Sequence, residues 1–375
     1  MKKTVIVLWG LILCVLFFCS PRFVLKDFEF DYDPAWKSFR GDLRNSGYVQ
    51  DEIPIPDDIL WKIELDGSVK GTAVVAKDVV FIGDLHRKVY FVDAQTGKRL
   101  SQLSLKEAYP TFLSIEDGFL YLSSEGKEGT LSCFNLRRGK MEWRKELGSS
   151  RSSPVIINDR IFLGTESGKF YALKKSSAEP VWQFNAKRRI LSSPAYSQGL
   201  LYFGSDDGWF YALVEKTGGV RWKFKAEKGI HSSSAVQRNK VVFGSLDGFV
   251  YCLNKDDGNL IWNFKTSGGV YSSPAVTESS VFIGSNDGFL YKIDFFSGQL
   301  LWRFDALSPI HSSPLVVGGK VFFAALDGRF CVLDRWSGKI LWSYQTGGMF
   351  TSSPACYKRK IYIGSEDGCL YCFGN

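Results

Sequence analysis

A unit of about 40 residues recurs eight times, each reading as four short antiparallel strands, and this predicts an all-β chain closed into an eight-bladed β-propeller. Three observations carry the prediction. From Ser272 to Trp302 (SSPAVTESSVFIGSNDGFLYKIDFFSGQLLW), strand-like segments alternate with turn chemistry at Asn286-Asp287-Gly288 and Ser297-Gly298. A Trp closes the unit at Trp143, Trp182, Trp222, Trp262, Trp302 and Trp342, mostly 40 residues apart. Stepping backward reaches Ser101, where the aromatic is lost, and then Trp61, where it returns. An Asp-Gly turn stands at Asp207-Gly208, Asp247-Gly248, Asp287-Gly288, Asp327-Gly328 and Asp367-Gly368, with Ser167-Gly168 as a variant and two degenerate units before it. Asp-Gly is a strong hairpin signal because Gly adopts positive φ without steric cost.

Each element follows from the unit. SSPAV and VFIGS read as the first two strands, FLYKID as the third and QLLWRF as the fourth. The last unit ends at Cys372-Phe373 with its third strand, whereas Ile59-Leu60-Trp61-Lys62-Ile63 is a fourth strand with no strands before it. Residues 58–65 are therefore expected to complete the last blade, which removes two open sheet edges. The expected organisation is an export segment or N-terminal membrane anchor over 1–20, a linker over 21–57 and the propeller over 58–375.

Aromatic residues at 15% and 37 glycines suit blades packed face to face with tight turns. Formal charge is +8, or +6 without residues 1–19, which hold Lys2 and Lys3 and no acid. The basic clusters Arg137-Arg138, Lys187-Arg188-Arg189 and Lys358-Arg359-Lys360 fall in different blades and on both faces. They read as solvated loops, and no nucleic-acid partner is expected. Cys133, Cys252 and Cys372 hold one repeat position, too far apart around a ring to pair. Cys369 and Cys372 have CxxC spacing but point to opposite faces of a strand, so neither a disulfide framework nor a metal site is expected.

Lys2 and Lys3 precede a 15-residue apolar run from Val5 to Cys19, shorter than a bilayer span, which is the anatomy of a secretion signal. An uncleaved anchor is the alternative. Leu16-Phe17-Phe18-Cys19 sets Leu three before Cys, which makes Cys19 a lipidation candidate. Phe23 to Asp58 is read as a linker whose aromatics pack on the propeller rim.

That linker holds Trp36-Lys-Ser-Phe39-Arg40-Gly41-Asp42-Leu-Arg-Asn45-Ser46-Gly47, which resembles the W-x-x-FRGD-x-x-x-(S/T)G lead-in of exported proteins with pyrroloquinoline-quinone-like (PQQ-like) propeller repeats. The blade ends Leu333-Asp334-Arg-Trp-Ser337-Gly338-Lys-Ile-Leu-Trp342 and Ile293-Asp294-Phe-Phe-Ser297-Gly298-Gln-Leu-Leu-Trp302 resemble the tryptophan-docking motif of quinoproteins. Lys174 to Glu179 has lost the Asp and the Gly of that motif. The resemblance implies the fold and a blade-docking role for Trp61, Trp143, Trp182, Trp222, Trp262, Trp302 and Trp342. An indole is a large flat apolar body suited to the gap between blades, with an N–H that finds a partner.

The resemblance implies two functions of different classes. One is a non-catalytic scaffold of the cell envelope, as in the propeller lipoprotein of outer-membrane barrel assembly, which is similar in length and repeat count. The other is a quinone-dependent dehydrogenase, which would need PQQ, Ca²⁺ and a catalytic Asp. Dehydrogenases of the family carry long insertions and, in alcohol-oxidising members, adjacent cysteines; this chain has neither. The residue before each Ser-Ser is expected to begin the innermost strand and face the channel mouth. In blades 3 to 8 it is Arg151, Leu191, His231, Tyr271, His311 and Thr351. Arg151, His231, Tyr271 and His311 are candidates for an anion or soft metal, but none is a carboxylate, and the bland reading is a wet polar lining. A His231–His311 zinc site lacks a third ligand. The turn carboxylates Asp207, Asp247, Asp287, Asp327 and Asp367 are accounted for by turn chemistry. Trp209, Phe249, Phe289 and Phe350 are candidate contact aromatics. The expectation is an exported, monomeric scaffold without enzymatic activity or cofactor. Its partners would be other envelope proteins, and its N-terminal segment or a lipid would hold it to a membrane.

Overall fold

The computed structural model describes residues 36–105 and 109–375, with only the backbone of 109–111. The export segment, Cys19 and the first part of the linker lie outside the described residues. Every regular element among the described residues is a β-strand, and the strands form eight sheets around one channel. Blades 1 to 7 span 74–104, 109–146, 155–185, 195–225, 235–265, 275–305 and 315–345, and blade 8 takes 355–374. Within a blade the chain runs from the innermost strand to the outermost, each pairing antiparallel with the next.

Closure is as the sequence predicts. Asp58–Glu64 pairs antiparallel with Cys369–Gly374, from Asp58 opposite Gly374 to Glu64 opposite Cys369, and so supplies the outermost strand of blade 8. The first and last parts of the propeller thus share one sheet, and blade 8 cannot form unless the two chain ends meet.

The blades are joined by three repeated devices. Flat rings stack between sheets: Phe170 on Phe203 at 4.1 Å and Phe210 on Phe243 at 4.0 Å, both within 5° of parallel. Each closing indole then reaches into the next blade. Trp182, Trp222 and Trp262 donate Nε1–H to the carbonyls of Glu215, Lys255 and Phe295 at 2.9–3.0 Å. Trp61, Trp143 and Trp302 do the same to Ala94, Lys175 and Arg335. Trp342 stacks on Tyr344 and meets Phe373 edge-on. The turn glycine beneath an indole is obligatory on two counts: Gly258 has φ +76°, and a Cβ there would lie 2.6 Å from the Trp222 ring.

The third device explains the repeated Ser-Ser. The amide of Ser153 donates to Ser193 Oγ, that of Ser193 to Ser233 Oγ, Ser233 to Ser273, Ser273 to Ser313 and Ser313 to Ser353, all at 2.8–3.0 Å. Five hydrogen bonds in relay thus clasp six consecutive blades around the channel.

The described part of the linker begins in the channel, not on the rim as expected. Residues 36–49 cross the channel at the end opposite the Ser-Ser lead-ins, and their carbonyls accept from the innermost strands of six blades. Trp36, Lys37, Leu43, Arg44, Ser46 and Gly47 accept from Val75, Ile115, Tyr196, Val236, Val276 and Val316 at 2.6–2.9 Å. Tyr48–Val49 then adds a parallel fifth strand to blade 7. Innermost strands leave one row of amides facing the channel, and buried amides require acceptors, so a segment laid across them is bonded blade by blade.

Candidate functional site at the channel mouth

The mouth is built from two loop families at one end of the channel. The first is the lead-in to each innermost strand; the second is the turn between the second and third strands. The residues before Ser-Ser do not begin the innermost strands, which start at Val155, Ala195, Ala235, Ala275, Leu315 and Ala355. Arg151, His231, Tyr271 and His311 lie upstream, in lead-ins where the Ser-Ser-Pro backbone is committed to the inter-blade clasp.

The turns bring carboxylates to these residues, which reading the Ser-Ser position alone had missed. Arg151 Nε lies 2.8 Å from Glu125 Oε2 and 3.1 Å from Glu166 Oε1. Asp206 pairs with Arg189 at 2.6 Å and with His231 Nε2. Thr351 donates to Glu366 at 2.8 Å. Burial alone would push the Asp206 carboxyl up, but the hydrogen bonds and charges of His231 and Arg189 outweigh it and hold it below its ordinary value. The missed residues share a signal: Glu166, Asp206, Asn286 and Glu366 all stand just ahead of the Asp-Gly position and keep the 40-residue spacing.

The other half of the mouth is aromatic. Tyr271 lies between the two histidines, edge-on to His231 at 5.5 Å and tilted over His311 at 4.6 Å. His311 Nε2 meets Asn286 Oδ1 at 3.0 Å, and burial lowers its pKa. With a tyrosine ring between them, His231 and His311 do not converge on one point. The turn aspartates are spent on their own loops. Asp207 accepts from the Trp209 amide at 2.9 Å, the Tyr211 hydroxyl at 2.8 Å and the Lys187 amide at 3.0 Å. Asp247 and Asp287 repeat the pattern with Tyr251 and Tyr291. Where blade 1 has lost Asp-Gly, Asp84 caps the His86 and Lys88 amides and accepts from Tyr90, restoring the clamp from another position.

A Ca²⁺-quinone centre wants six to eight oxygen ligands converging on the ion. The mouth carboxylates instead point at Arg151, Arg189, His231 and Thr351. Among the described residues no three His, Cys, Asp or Glu side chains stand close enough to hold a metal. This donor set does not fit that centre.

The candidate contact aromatics divide. Phe350 is fully buried. Trp209, Phe249 and Phe289 are half-buried beneath Lys223, Lys265 and Arg303, whose cationic groups lie 4.1–4.6 Å from the ring centres. A run of large exposed apolar groups lies instead on the outer edge of blades 5 to 7, at the opposite end from the mouth, while Leu307, Met349 and Tyr271 stand exposed in the mouth lead-ins. Leu260-Ile261, Leu300-Leu301 and Ile340-Leu341 open the outermost strands at one register, joined by the turn residues Phe296 (51% exposed) and Trp336 (64%).

The family model described as outer membrane protein assembly factor BamB, built on PQQ-like repeats, matches residues 127–268, 206–295 and 246–373. The chain belongs to this family. Among solved structures, the BamB-family chain is similar to BamB from Moraxella catarrhalis, at 19% identity and TM-score 0.74 over 85% of this chain and 99% of that one. It is also similar to the quinohemoprotein alcohol dehydrogenase of Comamonas testosteroni, at 14% identity and TM-score 0.78 over 91% and 81%. A europium-containing methanol dehydrogenase matches at 13% identity and TM-score 0.77 over 91% and 98%. At these identities the likeness is one of fold, shared by BamB and dehydrogenases alike. No curated protein sequence matches the chain.

Proposed function

We propose that this member of the BamB family is a non-catalytic scaffold that binds protein partners in the cell envelope. The observation that carries the proposal is the apolar rim of blades 5 to 7. Three successive outer strands each present two adjacent exposed aliphatic residues, and Phe296 and Trp336 stand beside them. A contiguous exposed apolar patch marks an interaction surface, and aromatic side chains within it serve as anchors. The rigid ring holds these positions in fixed relation, which suits a surface that must be presented rather than moved. The apolar run over Val5 to Cys19 supports an envelope location, and the family description supports a role in outer-membrane protein assembly.

A photoreactive amino acid at Phe296 or Trp336, irradiated in cells, should give discrete cross-linked species with envelope proteins. The same probe at Thr351, in the mouth, should give none. Cross-links from Thr351 alone would place the partner surface at the mouth and remove the rim from the account.

A second reading, a quinone-dependent dehydrogenase, is favoured by the aromatic row His231–Tyr271–His311, a flat platform at the channel end. It is weakened by the pairing of every mouth carboxylate named above.

A further inference from the structure

At the plugged end of the ring, the boundary between blades 2 and 3 departs from the repeat at two positions. Beneath five closing indoles the next blade supplies a glycine, at Gly97, Gly218, Gly258, Gly298 and Gly338, where a Cβ would lie 2.6–2.7 Å from the ring. Beneath Trp143 the same position is Ala178, buried at φ +55° in one apolar cluster with the indole. The second departure is at the start of the second strand. There Arg160 of blade 3 and Lys240 of blade 5 reach carbonyls of the next blade's turn at 3.0–3.3 Å. Blade 2 has Phe119 at this register, opposite Asn135 as Lys240 is opposite Asn254, and so lacks that bridge. The boundary holds a groove of about 530 Å³, lined by Phe119, Tyr121 and Trp143 and by Arg138, Lys174 and Lys175.

The groove's own acids are engaged. Glu142 accepts from Asn135 at 2.8 Å and stands 3.9 Å from Arg138 and 3.6 Å from Lys140, and Asp159 lies 4.0 Å from Arg160. Arg138, Lys140 and Lys174 keep 68%, 56% and 56% of their side chains exposed, so each can take a further carboxylate. A segment of this chain has the matching chemistry. Asp27-Phe28-Glu29-Phe30-Asp31-Tyr32-Asp33, outside the described residues, alternates acid with aromatic. In an extended chain the three rings share one face and the four carboxylates the other. An aromatic face of that size gains from cover. The described chain starts at Trp36, at the plugged end, where Trp36 and Lys37 bond blades 1 and 2. Tyr32 and Phe28 precede Trp36 by reaches of roughly 13 and 27 Å in extended chain. The innermost and outermost strands of a blade are roughly 14 Å apart, so the groove is within that span. Another groove at this end, beside blade 8, carries Asp42, Asp51 and Glu52 and would repel an acidic segment.

We propose that residues 27–33 dock in the groove between blades 2 and 3, with Phe28, Phe30 and Tyr32 against its aromatic floor and their neighbouring carboxylates along Arg138 and Lys174. The rings supply the contact area, and the exposed ion pairs set direction more than strength. Docking there ties the N-terminal part of the chain to the side of the ring across from the apolar rim of blades 5 to 7 and leaves that rim open. The inference does not depend on what binds the rim.

The test places a photoreactive phenylalanine analogue at Phe28, Phe30 or Tyr32 in turn, in the full chain, irradiated in cells and mapped by mass spectrometry. Cross-links within one chain to peptides holding Phe119, Trp143 or Lys174 are expected. Arg138→Glu with Lys174→Glu, both at exposed positions that leave the blades intact, should lower their yield roughly two- to fivefold, the range of exposed ion pairs. Asp31→Lys with Asp33→Lys in the same chain should restore it, which a change in folding alone would not do. Cross-links that map to other blades, to a second copy, to lipid or to another envelope protein, with none in the groove, overturn the proposal.

Discussion

At the mouth of the channel six of the eight blades contribute a residue from a repeated position, and the charges that meet there neutralise one another across blade boundaries. At the other end one non-repeating stretch, residues 36–49, does all the work, held mainly by backbone bonds to six blades, with a guanidinium sealed inside. The mouth varies by substitution at fixed geometry: Arg151, Leu191, His231, Tyr271, His311 and Thr351 occupy one position with five chemistries. The plug has no such freedom, since its carbonyls answer amides whose positions the blades have already set. The contrast shows where a propeller tolerates change, and it puts the two ends under different physical control.

The largest effect should come from the framework both ends share. Trp222→Ala removes an indole that fills the gap between blades 4 and 5 and bonds Lys255 O. It should cost about 3–5 kcal/mol in a denaturant titration, as large aromatic truncations do. A cost well under 1 kcal/mol would mean the docking motif is not what holds the ring. Gly47→Ala attacks the plug alone. Gly47 has φ +58°, and a Cβ there would overlap the Arg40 guanidinium. The expected loss is roughly 1–3 kcal/mol. Faster hydrogen exchange should be confined to the amides of Tyr196, Val236, Val276 and Val316, with the third strands unchanged. Uniform acceleration through every blade would show that the plug is part of the cooperative core and dissolve the contrast.

Two smaller effects test the mouth through pH. The folded-state pKa of Asp206 is depressed, so its contribution is present above the unfolded value near 3.8 and lost as pH falls through the folded value. Asp206→Asn should therefore be less stable than the parent at pH 5–7, with the gap closing below about pH 4. A gap independent of pH would mean that Arg189 and His231 do not interact with its charge. His311 loses stability in the same direction but for a different reason and at higher pH: burial lowers its pKa from 6.5, so the folded state resists protonation and loses stability as pH drops below that value. His311→Gln should flatten the stability curve between about pH 6.5 and 5 by a few tenths of a kcal/mol, the smallest change predicted here.

Much of the fold was legible because a repeat states each rule several times. The Trp spacing, the Asp-Gly turns and the unmatched strand at Ile59–Ile63 are enough to predict eight blades and their closure, and the structure agrees. The plug was not legible. Four of its six partners are backbone amides more than a hundred residues away, such as Tyr196 and Val316, and main-chain bonding leaves no side-chain signature in the sequence. The mouth carboxylates carried a usable signal, since Glu166, Asp206 and Glu366 share one repeat position, but their meaning depends on a lead-in from the same or the next blade. Phe296 and Trp336 stand in exposed turns, so only their exposure in the fold distinguishes them from Phe350, which is buried.

The non-catalytic reading is tested most directly by titrating the full chain with pyrroloquinoline quinone and Ca²⁺, following Trp fluorescence and then dye-linked oxidation of an alcohol and sugar panel. With the mouth carboxylates already paired, the account predicts no saturable quenching at high micromolar quinone and no turnover. Saturable binding with turnover, lost on mutation of His231, Tyr271 or His311, would contradict it and make the mouth an active site.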